Sequence, residues 1–174
     1  MQARDREEVR CTGDPKQLLQ CRGESPGFTE AQREIYQIVL DAQLASIEGC
    51  RVGQTFDSVH DISVRVLTEG MVRVGLLTGD VDALIESGAY KRYYMHRTGH
   101  WIGMDVHDVG EYFGDGGSSR VLASGMALTV EPGLYIAPDD MEADARYRGI
   151  GVRIEDDVVV TDGDSLVLTD TCPK

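Results

Sequence analysis

The sequence predicts an α+β fold. Two observations carry this: apolar residues recur at the helical spacing of three and four before residue 90, and strand-like alternation replaces it after residue 90. Helices first and strands afterwards place the two kinds of element in separate parts of the chain, which is the α+β order.

The first 27 residues, with Pro15, Pro26 and three glycines in a polar setting, show no sustained period. They read as an irregular or partly disordered segment with at most one short helix. From there "TEAQREIYQIVLDAQLASIEGC" reads as a helix. Thr29 and Gln32 form a capping box, and Ile35, Ile38, Val39 and Ala42 make one apolar stripe. Gly49 and Gly53 offer stops. A second helix is expected to open near Thr55, burying Val59, Ile62 and Val66, with His60 off that stripe and on the surface. "DVDALIESGA" reads as a short third helix capped by Asp80.

In "GMALTVEPGLYIAP", Met126, Leu128 and Val130 share one face; Ala127, Thr129 and Glu131 share the other. Pro132 and Gly133 then break or bend the strand. In "GIGVRIEDDVVVTDG", Arg153 and Glu155 share a face opposite Val152, Ile154 and Val158, while Asp156 and Asp157 read as surface or turn residues. "FGDGGSSR" and "APDDMEADARYRG" read as exposed loops.

The chain has 174 residues, 41% of them hydrophobic, and a net charge of −13. That charge disfavours nucleic acid and anionic membranes, whose phosphates call for Lys and Arg, and is compatible with a cation. No apolar run approaches the ~20 residues of a membrane span. The charged first ten residues lack a secretory apolar core, so a cytoplasmic location is expected. Cys11, Cys21, Cys50 and Cys172 form no CxxC pair and read as free thiols.

Three of the four histidines, His96, His100 and His107, stand in "MHRTGHWIGMDVHD". Gly99 and the β-type neighbours argue against a helix there, so His100 and His107 are expected on adjacent extended segments. Glu131 ends an apolar strand before Pro-Gly, and Glu155 sits in a strand that runs on into Val158, Val159 and Val160. A carboxylate near a buried sheet calls for a partner, either an ion pair such as Arg153 or a metal. One imidazole and two carboxylates suffice for an open three-ligand site for zinc, manganese, iron or cobalt. Such a site acidifies water and polarises a carbonyl, while unligated histidines serve an oxyanion or a proton. These residues compose a metal-dependent hydrolase.

In this order, "HRTGHWIGMDVHDVG", "GMALTVEPGLYI" and "GVRIEDDVVVT" resemble the Xaa-Pro aminopeptidases (aminopeptidase P), of the creatinase/methionine-aminopeptidase pita-bread fold. The resemblance covers residues 28–174 and implies helices packed on a curved, mostly antiparallel sheet. It implies that His100, Glu131 and Glu155 are metal ligands, with Glu155 bridging two ions. It implies that His96 and His107 line the substrate site, that Arg153 contacts substrate or the water network, and that Tyr135 lies close by. In the family two divalent ions, usually manganese, share a hydroxide that attacks the bond between an N-terminal residue and proline.

Two further aspartates, from an earlier strand pair just upstream of "FTEAQREIY", belong to the family pattern. Here "GDPKQLLQCRGESPG" takes their place, and Asp14 is not in their context. The expectation is therefore a truncated pita-bread domain over residues 28–174 that lacks the first strand pair, preceded by an atypical segment, residues 1–27. It would hold at most one ion, manganese foremost, with zinc or cobalt as substitutes. Activity on proline-containing peptides would be weak or lost. The unpaired sheet edge would be covered by residues 1–27 or by a second chain in a homodimer. The competing reading is a non-catalytic peptide- or protein-binding module, or a pseudoenzyme remnant.

Overall fold

Thr29 starts the first helix as the capping pattern predicts. Its hydroxyl accepts from the Gln32 N–H at 3.2 Å, and the Gln32 side chain accepts from the Thr29 N–H at 2.9 Å. The computed structural model describes residues 28–172 and 174 and the backbone of residues 8–11. Helix α1 (Glu30–Gly49) buries the predicted stripe, with Ile35, Ile38, Val39 and Ala42 at 1% exposure or less.

Helix α2 (Phe56–Arg73) is capped by Thr55 and Ser58, and of its predicted buried face only Val59 is fully buried. Phe56, Val59, Ser63, Val64, Leu67 and Met71 are buried, while Ile62 and Val66 are only partly so. The stripe has rotated because Phe56 anchors it against Trp101 and Tyr112. The two helices meet closely: a Cβ on Gly70 would lie 2.3 Å from Ile38 Cγ2, so only glycine permits that approach. Helix α3 (Val81–Glu86) follows, its Ala83 N–H bound by the Asp80 carboxylate as predicted.

Among the described residues, six short strands make two three-stranded sheets: β1 (Glu8–Cys11), β4 (Gly151–Ile154) and β3 (Gly133–Tyr135) in one; β2 (Ala127–Val130), β5 (Asp156–Val159) and β6 (Leu166–Val167) in the other. All pairings are antiparallel except β1 with β4. Residues 8–11 are therefore a strand rather than the irregular backbone expected there, and they cover one edge of β4. The rest of that expectation falls on residues 1–7 and 12–27, outside the described residues.

The chain crosses twice between the sheets. β2 leads through Glu131 and Pro132 into β3, and β4 leads through Glu155 into β5. Helix α1 covers the first sheet and α2 packs on α1, sharing a core that includes Leu67, Tyr93, Leu134, Tyr147 and Ile154. A second core joins Phe56 and Trp101 to Leu128, Val130, Val158 and Val160.

Two further expectations are corrected. Asp156 is no surface residue: its parity matches Ile154 and Val158, so alternation turns it inward, at 1% exposure. The 137–149 loop is not exposed throughout, because Ala143 and Tyr147 are buried and the Tyr147 hydroxyl donates to Glu34 on α1 at 2.6 Å. Cys50 is a free thiol, and burial pushes it up to about 12. No helix among the described residues is long and apolar enough to cross a membrane.

Candidate metal centre

Both crossover glutamates and one histidine meet at a single point. His100, Glu131 and Glu155 each offer one ligand atom, and these atoms lie within 4.8 Å of one another. The sheet crossings explain why. Val130 pairs with Asp156 across β2 and β5, and Gly133 pairs with Arg153 across β3 and β4. Glu131 and Glu155, in the gaps between those pairs, are brought side by side.

His100 reaches them from a segment that adds to the free edge of β2. Thr129 donates its N–H to the His100 carbonyl at 2.9 Å, Ile102 to the Ala127 carbonyl at 3.0 Å, and Glu131 to the Thr98 carbonyl at 2.6 Å. Gly99 makes this approach possible. A Cβ there would stand 1.8 Å from the Thr129 carbonyl oxygen. The predicted extended geometry of the histidine segment is thus observed at His100.

Hydrogen bonds orient the donors. His100 Nδ1 lies 3.0 Å from the Trp101 carbonyl, which accepts the Nδ1 proton and leaves Nε2 as the free lone pair. Nε2 faces Glu131 Oε1 at 3.5 Å. The Thr129 hydroxyl donates to that same oxygen at 3.1 Å, and Arg153 Nη1 stands 3.5 Å from Glu131 Oε2. Burial, then the charge of Glu131, raises the Glu155 carboxyl above its ordinary range, and Arg153 opposes the rise. Burial, then Asp156, does the same for Asp157.

Two half-buried carboxylates this close repel each other, and one guanidinium offsets them only in part. A divalent cation between them and a neutral imidazole would relieve that repulsion. One nitrogen and two oxygens are a donor set for a borderline transition metal. The residues present fit one such ion.

Of the other predicted residues, Arg153 and His107 lie beside this group, and His96 is held by contacts of its own. His96 Nε2 lies 2.9 Å from the Tyr135 hydroxyl, at the end of β3. The His107 ring comes from an exposed loop to 4.2 Å from that of His100, centroid to centroid. Trp101 packs on Phe56 and Tyr112. Sequence reasoning missed His60. It is half-buried, with Nδ1 2.9 Å from the Thr98 hydroxyl. The signal was present: His60 lies four residues from both Phe56 and Val64, on the buried stripe itself.

The family model described as metallopeptidase family M24 matches residues 19–162. The Xaa-Pro aminopeptidase of Haemophilus influenzae is 48% identical over 147 residues, covering 84% of this chain and 34% of that protein. The Xaa-Pro aminopeptidase of Escherichia coli is 50% identical over the same length, covering 84% and 33%. The structure of Pseudomonas aeruginosa aminopeptidase PepP superposes with a TM-score of 0.82 at 56% identity, covering 84% of this chain and 33% of that one. A zinc-substituted Escherichia coli aminopeptidase P in complex with product gives 0.79 at 49% identity, with the same coverage. The chain spans about a third of the length of these relatives.

Proposed function

We propose, from the premise that the chain belongs to metallopeptidase family M24, that it carries part of an Xaa-Pro aminopeptidase site, one that removes an N-terminal residue preceding proline. The observation that carries this reading is the convergence of His100, Glu131 and Glu155 at the two sheet crossings. In the proposal these three residues hold one divalent ion, manganese foremost. Such an ion supplies an acidified water and polarises the scissile carbonyl.

The chain's own groups orient and charge the site. The Trp101 carbonyl holds the His100 ring, and Thr129 and Arg153 fix the two oxygens of Glu131. His96, braced by Tyr135, and His107, beside His100, form the wall that meets the substrate. His107 carries a ring nitrogen able to donate to a carbonyl oxygen or to take up a proton, whereas His96 already engages the Arg97 carbonyl through Nδ1 at 2.8 Å and the Tyr135 hydroxyl through Nε2. Two carboxylates balance one divalent cation but not two. With no counterpart to the two upstream aspartates before residue 28, activity is expected to be weak or lost. The chain then divides into an atypical segment, 1–27, and a peptidase-domain fragment, 28–174. A cytoplasmic location belongs to the same proposal.

Calorimetric titration with Mn²⁺, followed in the same samples by hydrolysis of an Xaa-Pro peptide, tests the reading. The expected result is one ion per chain, bound at least ~10-fold more weakly in Glu155→Ala, with any turnover lost in that variant. Two tightly held ions per chain would overturn the single-ion site. Peptide affinity without metal or turnover would favour a binding module.

Self-association as a homodimer is proposed through an open sheet edge. β1 occupies one edge of β4, and β6 carries Leu166, 54% exposed, at the border of the other sheet. A monomer in sedimentation at micromolar concentration refutes it.

A further inference from the structure

His60 belongs neither to the ligand set nor to the histidine cluster in sequence, yet it connects helix α2 to both. Its Nδ1 meets the Thr98 hydroxyl at 2.9 Å, and that hydroxyl also meets the Tyr94 hydroxyl at 2.6 Å. Thr98 and Tyr94 are 2% and 1% exposed, so neither hydroxyl has water to replace a lost partner.

From Thr98 the connection divides. Its carbonyl accepts the Glu131 N–H at 2.6 Å, the shortest of the bonds that tie the histidine segment to β2. The Tyr94 ring stands edge-on to His96, centroids 5.0 Å apart, and packs on the His60 ring at 5.7 Å. Burial, then the charge of Arg97, lowers the His60 imidazole to about 4, so the ring is neutral near pH 7 and either tautomer can complete the hydroxyl chain.

We infer that His60 is a positioning residue for the site. By holding the Thr98 hydroxyl it fixes the carbonyl that receives Glu131 and, through Tyr94, the face against which His96 stands. Asp57 and Arg97 flank this contact as an ion pair, and Arg97 lies over the Phe56 ring. The helix end that carries His60 is thereby tied to the same segment. The inference takes its importance from the reading of Glu131 as a ligand, but its test does not depend on that reading.

The test is amide hydrogen exchange of the metal-free protein by NMR, with His60→Leu against His60→Asn. Leucine fills the space without a polar atom, whereas the asparagine amide reaches the position of Nδ1. His60→Leu is expected to speed exchange of the Glu131 amide about 10-fold, the effect of one lost hydrogen bond, and His60→Asn to restore it. The Ile38 and Val39 amides of α1 should be unchanged in both. Thr98→Val should reproduce the leucine result, and the double variant should add nothing; it also serves if His60→Leu does not fold.

Mn²⁺ affinity measured on the same proteins should fall by ~10-fold in His60→Leu and recover in His60→Asn. Unchanged Glu131 exchange in His60→Leu, or failure of asparagine to rescue, overturns the inference. Absence of Mn²⁺ binding by the unsubstituted protein refutes the metal reading alone.

Discussion

Gly99→Ala is expected to remove about 3 kcal/mol of stability, at the upper end of what overpacking costs. The added methyl would stand 1.8 Å from the Thr129 carbonyl oxygen and 2.9 Å from its carbon. These are backbone atoms, so no rotamer relieves the clash. Thr129 cannot retreat either, because β2 is paired with β5 on its other side, with Thr129 opposite Asp157. The 98–102 segment must therefore move off the strand edge, breaking the Thr129-to-His100 and Glu131-to-Thr98 hydrogen bonds. The expected melting temperature falls by roughly 6–12 °C for a chain of this size. Mn²⁺ affinity should drop as well, since His100 leaves Glu131. Gly163→Ala is the control. Its nearest contact would be Thr161 Oγ1 at 4.0 Å, and it should stay within about 0.5 kcal/mol. A Gly99→Ala protein that melts with the unsubstituted chain would sink the account of this close approach.

Asp156→Ala is expected to be costlier still, at about 3–5 kcal/mol. The Asp156 side chain is fully buried and pairs with Lys174, whose side chain is 20% exposed. It also accepts from the Thr169 hydroxyl at 2.5 Å and from the Gln43 amide. Removing the carboxylate strands a mostly buried ammonium and a buried amide, both without their acceptor. The physical claim concerns the unpaired remainder, not the worth of the pair. Hence Asp156→Leu combined with Lys174→Met should be less damaging than Asp156→Ala alone, because no buried charge is left over. Urea denaturation of the three variants decides it. A loss below about 1 kcal/mol for Asp156→Ala would show that the network is not desolvated as described.

Much of the helical half was legible because its signals are local. Thr29 with Gln32 and Asp80 with Ala83 act within one turn, and the α1 stripe needs no partner to be recognised. The α2 face was misjudged because Phe56, at the helix start, sets the rotation through rings contributed from residues 101 and 112. Strand β1 was illegible for the same kind of reason: four residues become a strand only by pairing with β4, over a hundred positions away. In the candidate site the residue types of His100, Glu131 and Glu155 were legible in the pattern itself, but their meeting was legible only through the family resemblance. It depends on two strand pairs in two sheets. Asp156 was recoverable from parity alone. His60 was recoverable from its spacing to Phe56 and Val64, though its partner Thr98 was not.

Glu155 is the single residue between β4 and β5, and its neighbour Asp156 already pairs with Val130. In terms of inheritance this separates two kinds of change. Inserting or deleting one codon here would invert the parity of β5, turning Val158 outward and Asp157 inward, and would take the fold with it. Replacing the codon leaves the crossing, the register and both cores in place and removes only a carboxylate. A lineage can therefore abandon the chemistry at this position in one substitution and keep the architecture, whereas no change of length there is neutral.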